Sequence, residues 1–346
     1  MGANATHERV DWVDYAKGIC IILVVMMHST LGVEKAVGST SALHAFIEWA
    51  RPFRMPDFFL ISGLFLASRI DRPWRAYLDT KVVHFAYFYF LWMTIAIAVK
   101  SPAIAADGGG WGAVPQTWLL SFIDPWSTLW FIYLLAVFFV VAKLTRGLPA
   151  LYVWLVAAAL EIAPIETGWM VIDEFASRFV YFYTGYVLAE RVFGFARSLE
   201  RAHVPVILAA LACWAIANAW LVHHGIAFLP GLSLPIGFVG IGAVIAVSVL
   251  LARSGWLPAV RYCGVNSIVI YLSFFLFMAA SRSVLLKLGL ENHPSLVSLV
   301  VTAAGVTGPV LLYWAVRGTR LKFLFERPGF FRLKPQAPGA RMAPAE

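Results

Sequence analysis

Charge is what this chain has least of. Asp, Glu, Lys and Arg make up 13% of its 346 residues, about half the share found in an ordinary soluble domain. A fold with a fully solvated surface is excluded by that shortage. Cysteine is scarce as well. Cys20, Cys213 and Cys263 all lie in or beside apolar runs and none is spaced as a CxxC, so neither a disulfide framework nor a zinc site is expected. There is no Gly-rich nucleotide-binding loop, no HExxH and no GxSxG, which removes the chemistries those motifs carry. No fixed-period repeat and no second domain are visible, and no metal site is expected.

What is abundant is apolar. Hydrophobic residues reach 61%, with 14 Trp, 26 Phe and 12 Tyr, and the mean hydropathy is +0.78. Heavy aromatic use suits two membrane interfaces. The apolar runs are long and unbroken, where a β-barrel would show short alternating segments. The fold class expected is all-α: a polytopic helical membrane protein with about ten transmembrane helices. The spans fall near residues 17–34, 49–68, 82–100, 122–142, 149–164, 175–191, 204–222, 231–251, 264–282 and 295–316. Each approaches the roughly 20 residues that cross a bilayer. Glu161, Pro164, Glu166, Asp173 and Glu174 crowd between the fifth and sixth.

Orientation follows from Lys and Arg. With ten spans, 20 of the 27 fall on the side of the two termini and 7 on the other. The positive-inside rule then puts both termini in the cytoplasm. The seven opposite are Lys35, Arg51, Arg54, Lys100, Arg178, Arg282 and Lys287. The net charge of +8 is explained by these loops, so nucleic-acid binding is not expected. The first apolar run does not read as a cleaved signal peptide: Glu8, Asp11 and Asp14 precede it and no small-x-small site follows His28. Three parts result: a cytoplasmic segment 1–16, a transmembrane domain 17–316, and a tail 317–346 that is basic, then Pro- and Ala-rich. The tail reads as surface-associated, then disordered.

The stretch "KGICIILVVMMHST", residues 17–30, carries a histidine inside a span. A polar ring in hydrocarbon needs a partner or a task. Eleven residues separate Lys17 from His28, about 16 Å of rise and about three turns, so both fall on nearly one face. That face suits a tunnel admitting an anionic molecule from the cytoplasm. Alternatively, Lys17 anchors the span at the interface and His28 bonds to a neighbouring helix. In "RPFRMPDFFLISGLFL", residues 51–66, Asp57 is placed to pair with Arg54 at i, i+3, or to orient His28 as a carboxylate orients a catalytic imidazole. Arg69, Arg72, Arg75 and Lys81 form a cationic cluster in the next loop, either a phosphate site or ordinary positive-inside residues. Asp124, Arg178, Asn218, Asn266 and Ser267 suit helix packing. Glu161, Glu166, Asp173 and Glu174 either shape an outer acceptor site or solvate an outer loop, and His223 and His224 read as outer surface.

Four stretches together resemble one family. "VDYAKGICIILVVMMHSTLG", "MPDFFLISGLFL", "STLWFIYLL" (127–135) and "GVNSIVIYL" (264–272) are similar, in that order, to motifs of the membrane acyltransferase family 3 proteins. These are bacterial inner-membrane O-acyltransferases acting on glycans, and the resemblance covers about residues 10–320. It implies a cytoplasmic acyl-CoA donor, commonly acetyl-CoA, no permanently bound cofactor, and a glycan or glycolipid hydroxyl as acceptor, with membrane lipid around it. It implies His28 as the base and Lys17 as its basic companion, with Arg69, Arg72 and Arg75 near the CoA phosphates. Arg54 and Asp57 complete the expected catalytic set. Two positions depart from the pattern: Asp57 stands where the family has an apolar residue, and Phe274 where many members have a second histidine. A different class, a transporter or flippase for a glycan or lipid-linked intermediate, also fits ten spans with buried charges. A sensor or assembly role is a third reading. Acyl-CoA binding with thiol release separates the transferase from the carrier.

Overall fold

The computed structural model describes residues 10–333 and is helical almost throughout, with no strand among the described residues. α1 (Asp11–Val37) leads to α2 (His44–Trp49) and α3 (Arg51–Gly63). Turns connect α3 to α4 (Trp74–Leu78), and a π-helical turn joins α4 to α5 (His84–Ile104). α6 (Ala113–Leu120), α7 (Trp130–Leu144), α8 (Ala150–Ile162), α9 (Met170–Val187) and α10 (Ala189–Arg201) follow. α11 (Val204–His223), α12 (Ser233–Ser254), α13 (Pro258–Val265), α14 (Ser267–Lys287) and α15 (Pro294–Val316) complete the bundle.

Among the described residues, seven segments are long and apolar enough to cross a membrane: those holding α1, α4–α5, α7, α11, α12, α14 and α15. This is a multi-pass membrane protein. The other three regions drawn from the sequence are helical but different in kind. α3 and α8 have 13 residues each, about 20 Å of helix against a hydrocarbon core of about 30 Å. α9 has 18, but Asp173, Glu174 and Arg178 dilute its hydropathy. α3 and α9 pack on each other, and α3 also packs on α1 and α12. Arg54 and Asp57 of α3 are buried within the protein, where partners make such groups tolerable.

Two pairs of glycines let these helices meet backbone to backbone. A Cβ on Gly63 would lie 2.2 Å from the Phe182 carbonyl oxygen, and one on Gly185 would lie 2.0 Å from that of Leu60. The same reciprocity binds α1 to α13. A Cβ on Gly18 would stand 2.0 Å from the Val260 carbonyl oxygen, and one on Gly264 would stand 1.7 Å from that of Asp14. Hydrocarbon gives no hydrophobic drive between helices, so close van der Waals approach through small residues is the main cohesive device. α1 packs against α3, α12, α13, α14 and α15, and just over half of its apolar stretch is buried by them.

The structure changes two expectations at the terminal side. Residues 191–201 are not a loop: they belong to α10, whose Ala196 is buried while Arg191, Arg197 and Arg201 are exposed. The charges there sit on one face of an amphipathic helix, the form that lies along a membrane interface. Residues 317–333 fold back onto α5. Trp92 donates to the Leu324 carbonyl at 2.9 Å, and Phe325 is buried against Trp92 and Tyr313. Arg327 bonds the Asp79 carboxylate at 2.8 Å, and the Leu333 N–H reaches the same group at 2.6 Å. The expected disorder beyond Lys334 lies outside the described residues.

Candidate active site

A cavity open to solvent lies at the N-terminal end of α1. Its cations are Lys17 from α1, Arg69 from the turn after α3, and Lys81 from the π-helical turn; His84 and Asp14 join them. Lys17 Nζ sits 5.8 Å from the centre of the Phe65 ring. Arg72 and Arg75 are exposed and do not line this space. The Arg75 Nε–H donates instead to the Leu333 carbonyl at 3.1 Å. The turn that carries Arg69 is fixed by Lys143, a buried residue whose Nζ donates to the Ile70 and Arg72 carbonyls at 2.5 and 2.8 Å.

The inner end of the cavity is aromatic. Phe58 and Phe131 stack with centroids 4.5 Å apart, and Phe131 meets Tyr271 edge-on at 5.5 Å. Tyr271 is anchored by its hydroxyl, which donates to the Thr128 carbonyl. Beyond it Phe274 lies 6.2 Å from Tyr271 and 5.6 Å from His28, centroid to centroid. His28 is therefore on the far side of an aromatic partition. No hydrogen bond from the described residues reaches its ring, and Arg54 and Lys100 act on it electrostatically.

Asp57 and Arg54 do not form the expected pair, and Asp57 does not meet His28. Asp57 is fully buried and accepts from the Cys20 thiol at 2.6 Å. Cys20 is eight residues before His28, about 12 Å along α1. Arg54 donates to the Ile47 carbonyl at 3.1 Å and to Met27 Sδ at 2.8 Å. α3 runs opposite to α1, so the long arginine reaches toward the C-terminal end of α1 while the short aspartate meets α1 nearer its start. Gly32, one turn past His28, lies beneath the Arg282 guanidinium: a Cβ there would be 2.5 Å from Nη1.

Of the residues expected from sequence, Lys17 and Arg69 come together at the cavity, while His28 and Arg54 come together beyond the partition. His84, Asp14, Lys100 and Arg282 were not singled out as site residues. The signal for Lys100 and Arg282 was their place among seven cations on the charge-poor side. Asp173 is occupied locally: the backbone N–H and hydroxyl of Thr167 bond it at 2.8 Å and hold its carboxyl below the usual carboxylate range. Among the described residues, no three His, Cys, Asp or Glu side chains gather as metal ligands would.

Residues 10–314 match the acyltransferase domain that defines acyltransferase family 3. The chain belongs to this family. It is 25% identical over 238 residues to the inner membrane protein YcfT of Escherichia coli (strain K12), covering 62% of this chain and 66% of YcfT. It is 26% identical over 227 residues to the nodulation protein NolL of Sinorhizobium fredii, covering 64% of this chain and 59% of NolL. The acyltransferase-3 chain thus spans about three fifths to two thirds of the length of these relatives. No solved structure matches it.

Proposed function

We propose that this chain is a membrane O-acyltransferase that moves an acyl group, acetyl in the simplest case, from cytoplasmic acyl-CoA to a hydroxyl of a cell-envelope or secreted glycan. It works in the bacterial inner membrane. The transmembrane domain is 17–316, with ten crossings, counting α3, α8 and α9, and both termini in the cytoplasm. The observation that carries the reading is one helix with a cation-lined cavity at its start and, eleven residues later, an imidazole that no described residue hydrogen-bonds. Acyl-CoA phosphates meet Lys17 and Arg69, aided by Lys81. The pantetheine arm runs along α1. At about 3.3–3.6 Å per residue-length, the four to five residue-lengths of that arm cover the separation from Lys17 to His28.

His28 takes the proton of the acceptor hydroxyl as its oxygen attacks the thioester carbonyl. The new C–O bond forms, the C–S bond breaks, and the imidazolium returns the proton to the departing thiolate. A placed general base is worth about 10²–10⁴-fold. Asp57 serves to hold α3 on α1 through Cys20.

The test is thiol release from acetyl-CoA, and acetylation of added saccharides, by the purified full chain in nanodiscs. His28→Ala is expected to lower the rate at least 100-fold. Equal rates in wild type and variant would remove His28 from the chemistry. No thiol release and no binding of acetyl- or succinyl-CoA would favour the carrier.

A further inference from the structure

Seven cations lie on the charge-poor side of the molecule, and four of them converge. Arg54 comes from α3, Lys100 from α5, Arg178 from α9 and Arg282 from α14. Arg54 donates to Met27 Sδ at 2.8 Å, one residue before His28, and Lys100 Nζ donates to Ser127 Oγ at 3.4 Å, next to the Thr128 carbonyl that Tyr271 bonds. Arg282 covers Gly32, one helical turn from His28. Glu174 pairs with Arg178 at 3.1 Å. Among the described residues, Arg54, Lys100 and Arg282 take part in no ion pair. The carboxylate nearest to helping, Glu48, is bonded to Arg51 at 3.2 Å. Arg54 is buried and its Nε has no hydrogen-bond partner.

Cations collected in a partly buried site repel one another, and buried charge is ordinarily neutralised by a partner. The partner missing here is an anion. Lys100 also lies 4.7 Å from the centre of the Trp126 ring, so a flat half-buried aromatic face adjoins the charges. A charged sugar has a use for both: an oxyanion for the guanidinium and ammonium groups, and a ring face for the tryptophan.

We infer that the Arg54–Lys100–Arg282 cluster beside His28 is the acceptor subsite, and that the acceptor is a saccharide bearing a carboxylate or phosphate close to the hydroxyl that is acylated. This rests on the transferase reading for the word acceptor, but the anion site itself does not depend on catalysis.

Binding is measured directly, with the full-length chain in neutral-lipid nanodiscs. Three fluorescent probes of equal length are compared: an oligoglucuronate, a glycerol-phosphate oligomer and a neutral oligoglucose. At least one charged probe is expected to bind tenfold or more tightly than the neutral one in wild type. That preference should shrink several-fold as salt rises and ions screen the charges. Whichever charged probe wins identifies carboxylate or phosphate. Lys100→Gln and Arg282→Gln should each reduce the preference to threefold or less, with thermal unfolding reporting that the variants fold. Equal binding of charged and neutral probes by wild type overturns the inference, and so does a preference that both folded variants retain. Charged-probe preference without thiol release would leave the anion site standing and remove the transferase. His28-dependent thiol release without charged-probe preference would do the reverse.

Discussion

Replacing Gly264 by alanine puts a methyl group 1.7 Å from the Asp14 carbonyl oxygen, 2.7 Å from its carbon and 2.8 Å from the Gly18 nitrogen. All three are backbone atoms of α1, so no side chain can turn away. Reaching even a 3.0 Å contact from 1.7 Å requires α1 and α13 to separate by about 1.3 Å. Ordinary overpacking costs about 1–3 kcal/mol. Here the separation also loosens the reciprocal contact at Gly18, and every atom pair along the seam gives up part of its dispersion well. A loss of about 3 kcal/mol or more is expected for Gly264→Ala. The functional effect should be larger than for a remote change, because Asp14, Lys17, Gly264 and Ser267 all line the cavity. Thermal unfolding in detergent and acetyl-CoA binding are the measurements. Gly147→Ala is the control, since nothing lies within 4 Å of its added Cβ. If Gly264→Ala unfolds with Gly147→Ala and binds donor as wild type does, the account of the α1–α13 seam is wrong.

Three further outcomes follow from named contacts. Lys143→Met should destabilise by about 2–3 kcal/mol, because the Arg72 carbonyl loses its bond and Ile70 keeps only the weaker one to Arg146; thermal unfolding checks it. Asp79→Ala should loosen the segment from Arg327 to Leu333 without unfolding the bundle, seen as faster tryptic cutting at Arg332 with an unchanged helical circular-dichroism signal. Lys17→Met and Arg69→Gln should each weaken acetyl-CoA binding about tenfold, the worth of one charge-assisted bond. The exposed Arg72→Gln and Arg75→Gln should stay within about twofold in the same titration.

The apolar runs were legible because bilayer thickness imposes a length that composition reveals. That Lys17 and His28 belong to one continuous helix was legible for a similar reason: helical periodicity is local. Gly63 and Gly264 stood inside recognisable motifs, but what they are for appears only when Phe182 and Asp14 are seen against them. Cys20 with Asp57 could not be read from sequence. A carboxylate three residues from an arginine invites a local pair, yet antiparallel packing aims the two side chains at different levels of α1. Residues 191–201 and 317–333 were charged enough to suggest loop and tail. Their apolar positions, Ala196 and Phe325 among them, find cover only in the assembled bundle.

The two ends of α1 differ in what they hold, and the partition between them has a consequence that can be measured. Both sides carry cations, but Lys17 and Arg69 line a cavity open at the N-terminal end, while Arg54 and Arg282 reach α1 on either side of His28, at Met27 and Gly32. Phe274 stands between Tyr271 and the imidazole, with its ring centroid 5.6 Å from that of His28. If the thioester must pass this ring, the ring also keeps water and base from the donor when no acceptor is present, which suppresses hydrolysis. Removing it should open the cavity toward His28. Phe274→Ala would cost about 3–5 kcal/mol in packing, so Phe274→Leu is the milder companion. Both are expected to raise acetyl-CoA hydrolysis without acceptor several-fold and to lower the ratio of transfer to hydrolysis. The increase should vanish when His28→Ala is added. If folded variants show an unchanged ratio, Phe274 is packing alone and the donor reaches His28 by another route.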